Sequence, residues 1–260
     1  RKKIHEGYKA GREKNRFRVN RQYQGMMDEE QERLSMKQQF VWLNDILDYL
    51  PVQTMIYDGI EADDTIAYLT KHNESDLGNE VVIVSTDKDF LQLVSDKVKV
   101  FSPTKKKMYN RQVVFDEFGI WPENLLLYRT LDGDKSDNIP GIRGCGIKTL
   151  LKRFPELSED RTITHEDLFQ MCEEKQGKIK LYDDILKAKD QLLMNKRLME
   201  LDEPHIPTNQ KLNILDRFNE SDIEFKKLDF LRVGQKYKVL QNWRDINDWL
   251  HSTFHNIITK

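Results

Sequence analysis

Val81-Val82-Ile83-Val84-Ser85-Thr86-Asp87-Lys88-Asp89-Phe90-Leu91-Gln92-Leu93-Val94 decides the fold class of this chain. Its first four residues are apolar and β-branched, a pattern that predicts a short buried strand. The strand runs through Ser85 and Thr86 into two acids, and apolar spacing over 87–94 predicts a helix. A second unit of the same kind lies upstream, with a strand expected at 54–58 and a helix at 63–72. Strand–helix alternation of this sort predicts an α/β fold whose mostly parallel sheet is flanked by helices. Downstream, 98–101 and 108–109 read as extended pieces around a lysine-rich turn at 105–107. After them 111–118, 123–131, 147–154 and longer stretches beyond 164 read as helices. A further helix is expected over 28–50, halted by Pro51. The spacing of Trp243, Trp249 and Phe254 predicts a packed closing helix.

The 260 residues suit one compact unit or two small domains on a shared core. No apolar run approaches the roughly 20 residues of a membrane span, and no signal-peptide pattern follows Arg1-Lys2-Lys3. Cys145 and Cys172 lack metal-ligand spacing and read as reduced thiols of a cytosol-like compartment. The net charge of −2 is uninformative, but its distribution is not. Nine Lys or Arg against two Glu occupy residues 1–24, and 141–153 carry Arg143, Lys148, Lys152 and Arg153 with no acid. Dense acids lie between. Basic segments around an acidic centre suit a protein that holds phosphates while carboxylates hold metal; solvated surface charge is the alternative for any single run.

Functional groups in open α/β sheets collect beyond the carboxyl ends of strands. Glu61, Asp63 and Asp64 follow the first expected strand, and Asp87 and Asp89 follow the second. Asp134 and Asp137 form a third group within Gly133-Asp134-Lys135-Ser136-Asp137-Asn138. Taken singly, Asp63 or Asp87 could merely cap a helix. Three carboxylate groups brought together would repel unless a cation joins them, and all-oxygen donors favour Mg²⁺ or Mn²⁺. Directly after the third group, Ile139-Pro140-Gly141-Ile142-Arg143-Gly144-Cys145-Gly146-Ile147-Lys148-Thr149 places free N–H groups and a lysine at a helix start. That is a seat for phosphate.

These motifs resemble those of the 5′-nucleases: flap endonucleases, the 5′-nuclease domain of bacterial DNA polymerase I, and phage 5′-exonucleases and RNase H enzymes. The resemblance rests on Glu61-Ala62-Asp63-Asp64, on Ser85 through Asp89, and on Gly133 through Thr149, which is similar to the family's helix–three-turn–helix. Glu6-Gly7-Tyr8-Lys9-Ala10-Gly11-Arg12 is similar to the basic motif that opens the family's helical arch, and Arg1 fits the same pattern. The match covers about residues 1–155 in order.

The resemblance implies a PIN-like nuclease core over 1–131, with the arch at about 1–27, and a helical DNA-binding region over 132–260 with its helix–three-turn–helix at 132–155. It implies hydrolysis of phosphodiesters at 5′ ends, flaps or branches with two Mg²⁺ ions, Mn²⁺ substituting. Glu61, Asp63, Asp87 and Asp89 would hold metal, with Asp64, Asp134 and Asp137 as ligands or outer-shell groups. Lys9 and Arg12 would act on the scissile phosphate. Arg1, Tyr8, Arg143, Gly144, Gly146, Lys148 and Thr149 would bind nucleic acid, with K⁺ on the turn carbonyls as in relatives; for Tyr8, stacking on a base and packing at the arch base are both open. Implied partners are branched or 5′-ended duplex DNA, RNA–DNA hybrids and replication proteins, met by a monomer; the expected location is the cytosol of a bacterium or of a phage-infected host, with no membrane partner. The family opens with a strand bearing an Asp, and a later strand ends in another; neither is in this sequence, so an upstream segment is expected. Two rivals stand beside this reading, a PIN-type single-strand RNase and a protein that binds branched DNA without cutting.

Overall fold

A computed structural model describes residues 5–10, 28–220, 224–241 and 243–258. They divide into two compact units, one formed by 5–10 and 59–207 and the other by the described residues of 28–58 and 208–258. The boundary expected at 131/132 falls inside the first unit, at the end of a continuous helix.

The first unit is built on a three-stranded sheet of β1 (Val81–Val84), β2 (Val98–Ser102) and β3 (Lys107–Tyr109). β1 and β2 run parallel, from Val81 against Val98 to Val84 against Phe101; β2 and β3 are antiparallel, with Val100 opposite Tyr109. β1 is buried on one side only: Ile83 is in the core, while Val82 and Val84 are exposed. No strand forms at 54–58. An extended segment becomes a strand only by pairing its N–H and C=O groups with a neighbour, and this one has no ladder among the described residues.

The crossover from β1 to β2 is a tight 3₁₀ turn, Lys88–Leu93, in place of the expected α-helix. Phe90 and Leu93 are both buried, three apart, which suits three residues per turn. Helices α2 (Ala62–Lys71), α3 (Arg111–Phe118), α4 (Pro122–Asp132), α5 (Ile147–Arg153), α6 (His165–Glu174), α7 (Lys180–Lys187) and α8 (Lys189–Met199) complete the unit. Local chemistry sets their limits. Asn110 caps α3, Gly119 ends it in the left-handed region at φ 68°, and Pro122 opens α4. α4 packs against the 3₁₀ turn on one side and α8 on another. The core runs from Ile83, Val98 and Val100 through Leu127 and Leu131 to Leu168 and Leu192.

The second unit contains α1 (Glu29–Leu47), α9 (Thr208–Asn219), α10 (Lys227–Lys236) and α11 (Ile246–Ile258). Leu50, Phe230, Leu250 and Phe254 form its core, with Trp249 packed against it. A cavity of about 600 Å³ lies in this unit, lined by apolar side chains such as Phe40, Trp42 and Trp243 with Gln39 among them. No helix among the described residues is long and apolar enough to cross a membrane.

Candidate active site

α2 begins at Glu61, whose extended backbone (φ −77°, ψ 147°) turns the chain into the helix while its carbonyl accepts from the N–H groups of Asp64 and Thr65. Asp63 and Asp64 occupy the first turn, where the helix end favours negative charge. Asp64 is buried. The Glu61 side chain makes no cap. Instead Oε2 accepts from Lys9 Nζ at 2.8 Å and from Tyr8 Oη at 3.2 Å.

Lys9 is held by its surroundings. Its backbone lies in the left-handed region at φ 59°, an unfavourable state for a residue that carries a Cβ. Its N–H donates to the Asp137 carbonyl at 3.0 Å, and the Asn138 amide donates to Gly7 O at 3.1 Å. A Cβ on Gly7 would lie 2.8 Å from that Asn138 amide nitrogen, so a side chain there would displace the amide from its place. Burial alone would lower the Lys9 ammonium's pKa; hydrogen bonds to Glu61 and Tyr8 outweigh it and hold the pKa above its ordinary value. Tyr8 is only 2% exposed and packs with Ile139, Leu198 and Met199. In this structure the ring is packed among them.

The second and third acidic groups are joined by Arg129, near the end of α4. Its Nε donates to Asp89 Oδ1 and its Nη2 to Asp134 Oδ2, each at 2.8 Å. Burial pushes the Asp89 carboxyl up, and Arg129 only partly offsets this. Burial raises Asp134 too, but donors from Ser136, then Arg129 and Asp137, bring it below its usual range. Asp87 is exposed and caps the 3₁₀ turn, its Oδ1 accepting from Asp89 N at 2.9 Å. The capping alternative therefore describes Asp87 in this structure, whereas Asp63 is not the cap of α2.

Asp134 also opens the loop to the glycine turn. Its N–H and carbonyl form a bridge with Ile139, and Gly133 at φ 75° and Gly141 pass so closely that a Cβ on either would strike backbone. Beyond this crossing, Gly144 adopts φ 89° and Cys145 turns into the core. Arg143, Gly144, Gly146, Lys148 and Thr149 are all exposed at the start of α5. A Cβ on Gly144 or Gly146 would meet nothing within 4 Å, so neither glycine is required by packing.

Lys9 thus links Glu61 to the 137–138 loop, and Arg129 links Asp89 to Asp134. Among the described residues, no group of three or more acids, histidines or cysteines is gathered closely enough to hold a metal. Arg1 and Arg12 lie outside the described residues. Sequence reasoning missed Arg129, which no motif singles out within α4. It also missed Asn195 on α8, fully buried, whose amide donates to Thr130 O at 2.9 Å and Pro140 O at 2.8 Å.

The site thus combines an α/β scaffold, acids after its strand and an exposed glycine turn on the following loop, in the place where ligands of open α/β sheets bind. Residues 1–119 match the family of the 5′-3′ exonuclease N-terminal resolvase-like domain. The chain is 32% identical over 209 residues to a 5′-3′ exonuclease of Aquifex aeolicus, covering 79% of this chain and 64% of that protein. It is 34% identical over 198 residues to Bacillus subtilis DNA polymerase I, covering 74% of this chain and 21% of the polymerase. A structure of the bacteriophage T5 D15 flap endonuclease, described as a pseudo-enzyme-product complex with DNA and metal ions, shares the fold with a TM-score of 0.60. Its sequence is 21% identical, over 90% of this chain and 79% of that one. By these matches the chain is similar to the 5′-nuclease family, residues 1–119 matching its 5′-3′ exonuclease amino-terminal domain. It spans just under two thirds of the exonuclease's length and about a fifth of the polymerase's.

Proposed function

We propose that this chain carries a structure-specific 5′-nuclease that hydrolyses phosphodiesters at 5′ ends, flaps or branches of duplex DNA with divalent metal. One observation carries the reading. A single loop joins Asp134, tied through Arg129 to Asp89, to the exposed Gly144–Gly146 turn with Arg143 and Lys148 beside it. A duplex phosphate held on that turn would be anchored a few residues from the acids.

The carboxylate-only donor set fits a hard ion such as Mg²⁺ or Mn²⁺. The cations Lys9 and Arg129 already stand against these carboxylates, which marks where positive charge is wanted. Glu61, Asp63, Asp87 and Asp89 would hold the metal, two ions being the family's arrangement, with Asp64 and Asp137 behind them. When bound, divalent ions supply activation of a water nucleophile and neutralisation of the leaving oxygen. Lys9 orients Glu61 and, released onto a phosphate, contributes positive charge as the transition state forms. Arg12, outside the described residues, would act with it on the phosphate. Exposed Arg143, Lys148 and Thr149 grip the duplex backbone, with K⁺ on the turn carbonyls, and RNA–DNA hybrids and replication proteins complete the proposed partners. The test is incubation of the protein with labelled flap, nicked, gapped and RNA–DNA substrates in Mg²⁺, Mn²⁺ or chelator. Cleavage near the 5′ end of a branched substrate is expected only with metal; no cleavage of any of them would overturn the reading.

A further inference from the structure

We infer that Arg129 is a positioning residue that aims Asp89, and that Asp134 works through it as its anchor. The inference rests on the divalent-ion reading above and adds to it a division of labour among the acids. Asp134 has both oxygens engaged by the protein itself. Oδ1 accepts from Ser136 N at 2.7 Å, Ser136 Oγ at 2.7 Å and Asp137 N at 3.2 Å, while Oδ2 accepts from Arg129 Nη2 at 2.8 Å. Asp89 differs: among the described residues its Oδ1 takes the side-chain donor Arg129 Nε at 2.8 Å, which leaves Oδ2 as a ligand atom for the site. Nε and Nη2 lie on one edge of a rigid guanidinium, so fixing Asp134 fixes the direction in which Asp89 is held.

The arrangement is braced from behind. Asn195 ties the last turn of α4 to Pro140, and Gln191 donates to the same Pro140 carbonyl at 2.9 Å. The fork is largely withdrawn from solvent, with 18% of the Arg129 side chain exposed. A pair so placed contributes little net stability, because desolvation offsets its attraction and apolar residues would pack as well. What the fork adds is direction. It links the loop bearing the glycine turn to the acids after β1, so the two are held as one piece.

The experiment measures Mn²⁺ binding by electron paramagnetic resonance on the full chain. It compares wild type, Arg129→Gln, Arg129→Lys, Asp134→Asn and the Arg129→Gln/Asp134→Asn pair, with melting in chelator as a folding check. Arg129→Gln and Asp134→Asn are each expected to weaken Mn²⁺ binding by about 10–100-fold, as loss of an orienting partner does. The double variant is expected to be no weaker than the weaker single, because both act on one path. Arg129→Lys is expected not to restore affinity, since one ammonium cannot span both carboxylates. Unchanged or tighter Mn²⁺ binding in Arg129→Gln, multiplying losses in the double variant, or full rescue by lysine overturns the inference. If Arg129→Gln does not fold, near-isosteric Asp134→Asn decides it alone, and unchanged affinity there overturns it. A wild-type chain that binds no Mn²⁺ overturns the divalent-ion reading itself, an outcome distinct from the others.

Discussion

Lys9 reaches across 52 residues of sequence to place its ammonium 2.8 Å from Glu61 Oε2, while its backbone N–H donates to Asp137. Two acidic groups are thereby tied to the amino-terminal segment by one residue. If that ammonium also meets the scissile phosphate, Lys9→Ala should cut the single-turnover rate about 10²–10³-fold. Binding in Ca²⁺ should fall far less. Rapid-quench cleavage with enzyme in excess, beside a binding titration, separates the two; an unchanged rate leaves Lys9 as a docking residue only.

Asp87 offers a cleaner test of metal dependence. Among the described residues its side chain accepts from Asp89 N, which an asparagine oxygen also does. Asp87→Asn is therefore expected to fold normally and bind duplex, yet lose cleavage by at least about 10²-fold. Cleavage by wild type should stop in excess EDTA. Full activity of the variant, or activity that survives chelation, would contradict the assignment.

Two glycines of one loop should respond in opposite ways. A side chain on Gly146 meets nothing within 4 Å and its φ of −63° suits any residue. Gly146→Val is thus expected to keep its stability to within about 0.5 kcal/mol while weakening binding to duplex-bearing substrates at matched salt. Gly141→Ala drives a methyl into the Asp132 carbonyl and should destabilise the protein by more than about 2 kcal/mol. Equal losses of affinity on duplex and on short single strands for Gly146→Val would show that the turn is no duplex anchor.

His165 makes stability depend on pH. It is buried against Thr130, whose hydroxyl donates to the Leu127 carbonyl and so accepts from the ring, leaving Nε2 protonated in a neutral imidazole. Burial brings its pKa down to about 4, from an ordinary value near 6.5. The unfolded chain therefore binds the proton first as pH falls. Its contribution is full above about pH 6.5, declines through that window and is lost by about pH 4, amounting to about 2 kcal/mol between pH 7 and 5. Denaturant titrations at those two pH values should show this loss in wild type and a smaller one in His165→Gln. An identical pH dependence in both proteins would rule His165 out.

Much of this was legible locally. Asn110, Gly119 and Pro122 fix the limits of α3 and α4 through capping and restricted φ, and both helices stand within a residue of where the sequence puts them. The acids after β1 and the exposed glycine turn were equally plain, because their chemistry lies within a few neighbouring residues. Other features depend on which distant segments meet. The stretch at 54–58 has strand-like residues but no ladder partner, and Val82 and Val84 are apolar without being covered. Tyr8 was open between stacking and packing until Ile139, Leu198 and Met199 enclosed it. Arg129 could be any helix-surface arginine until Asp89 and Asp134 arrive on either side, 40 residues before it and 5 after. Caps, turns and acid spacing are short-range and written in order; burial, ion pairing and the aim of a carboxylate are long-range, and only the tertiary structure decides them.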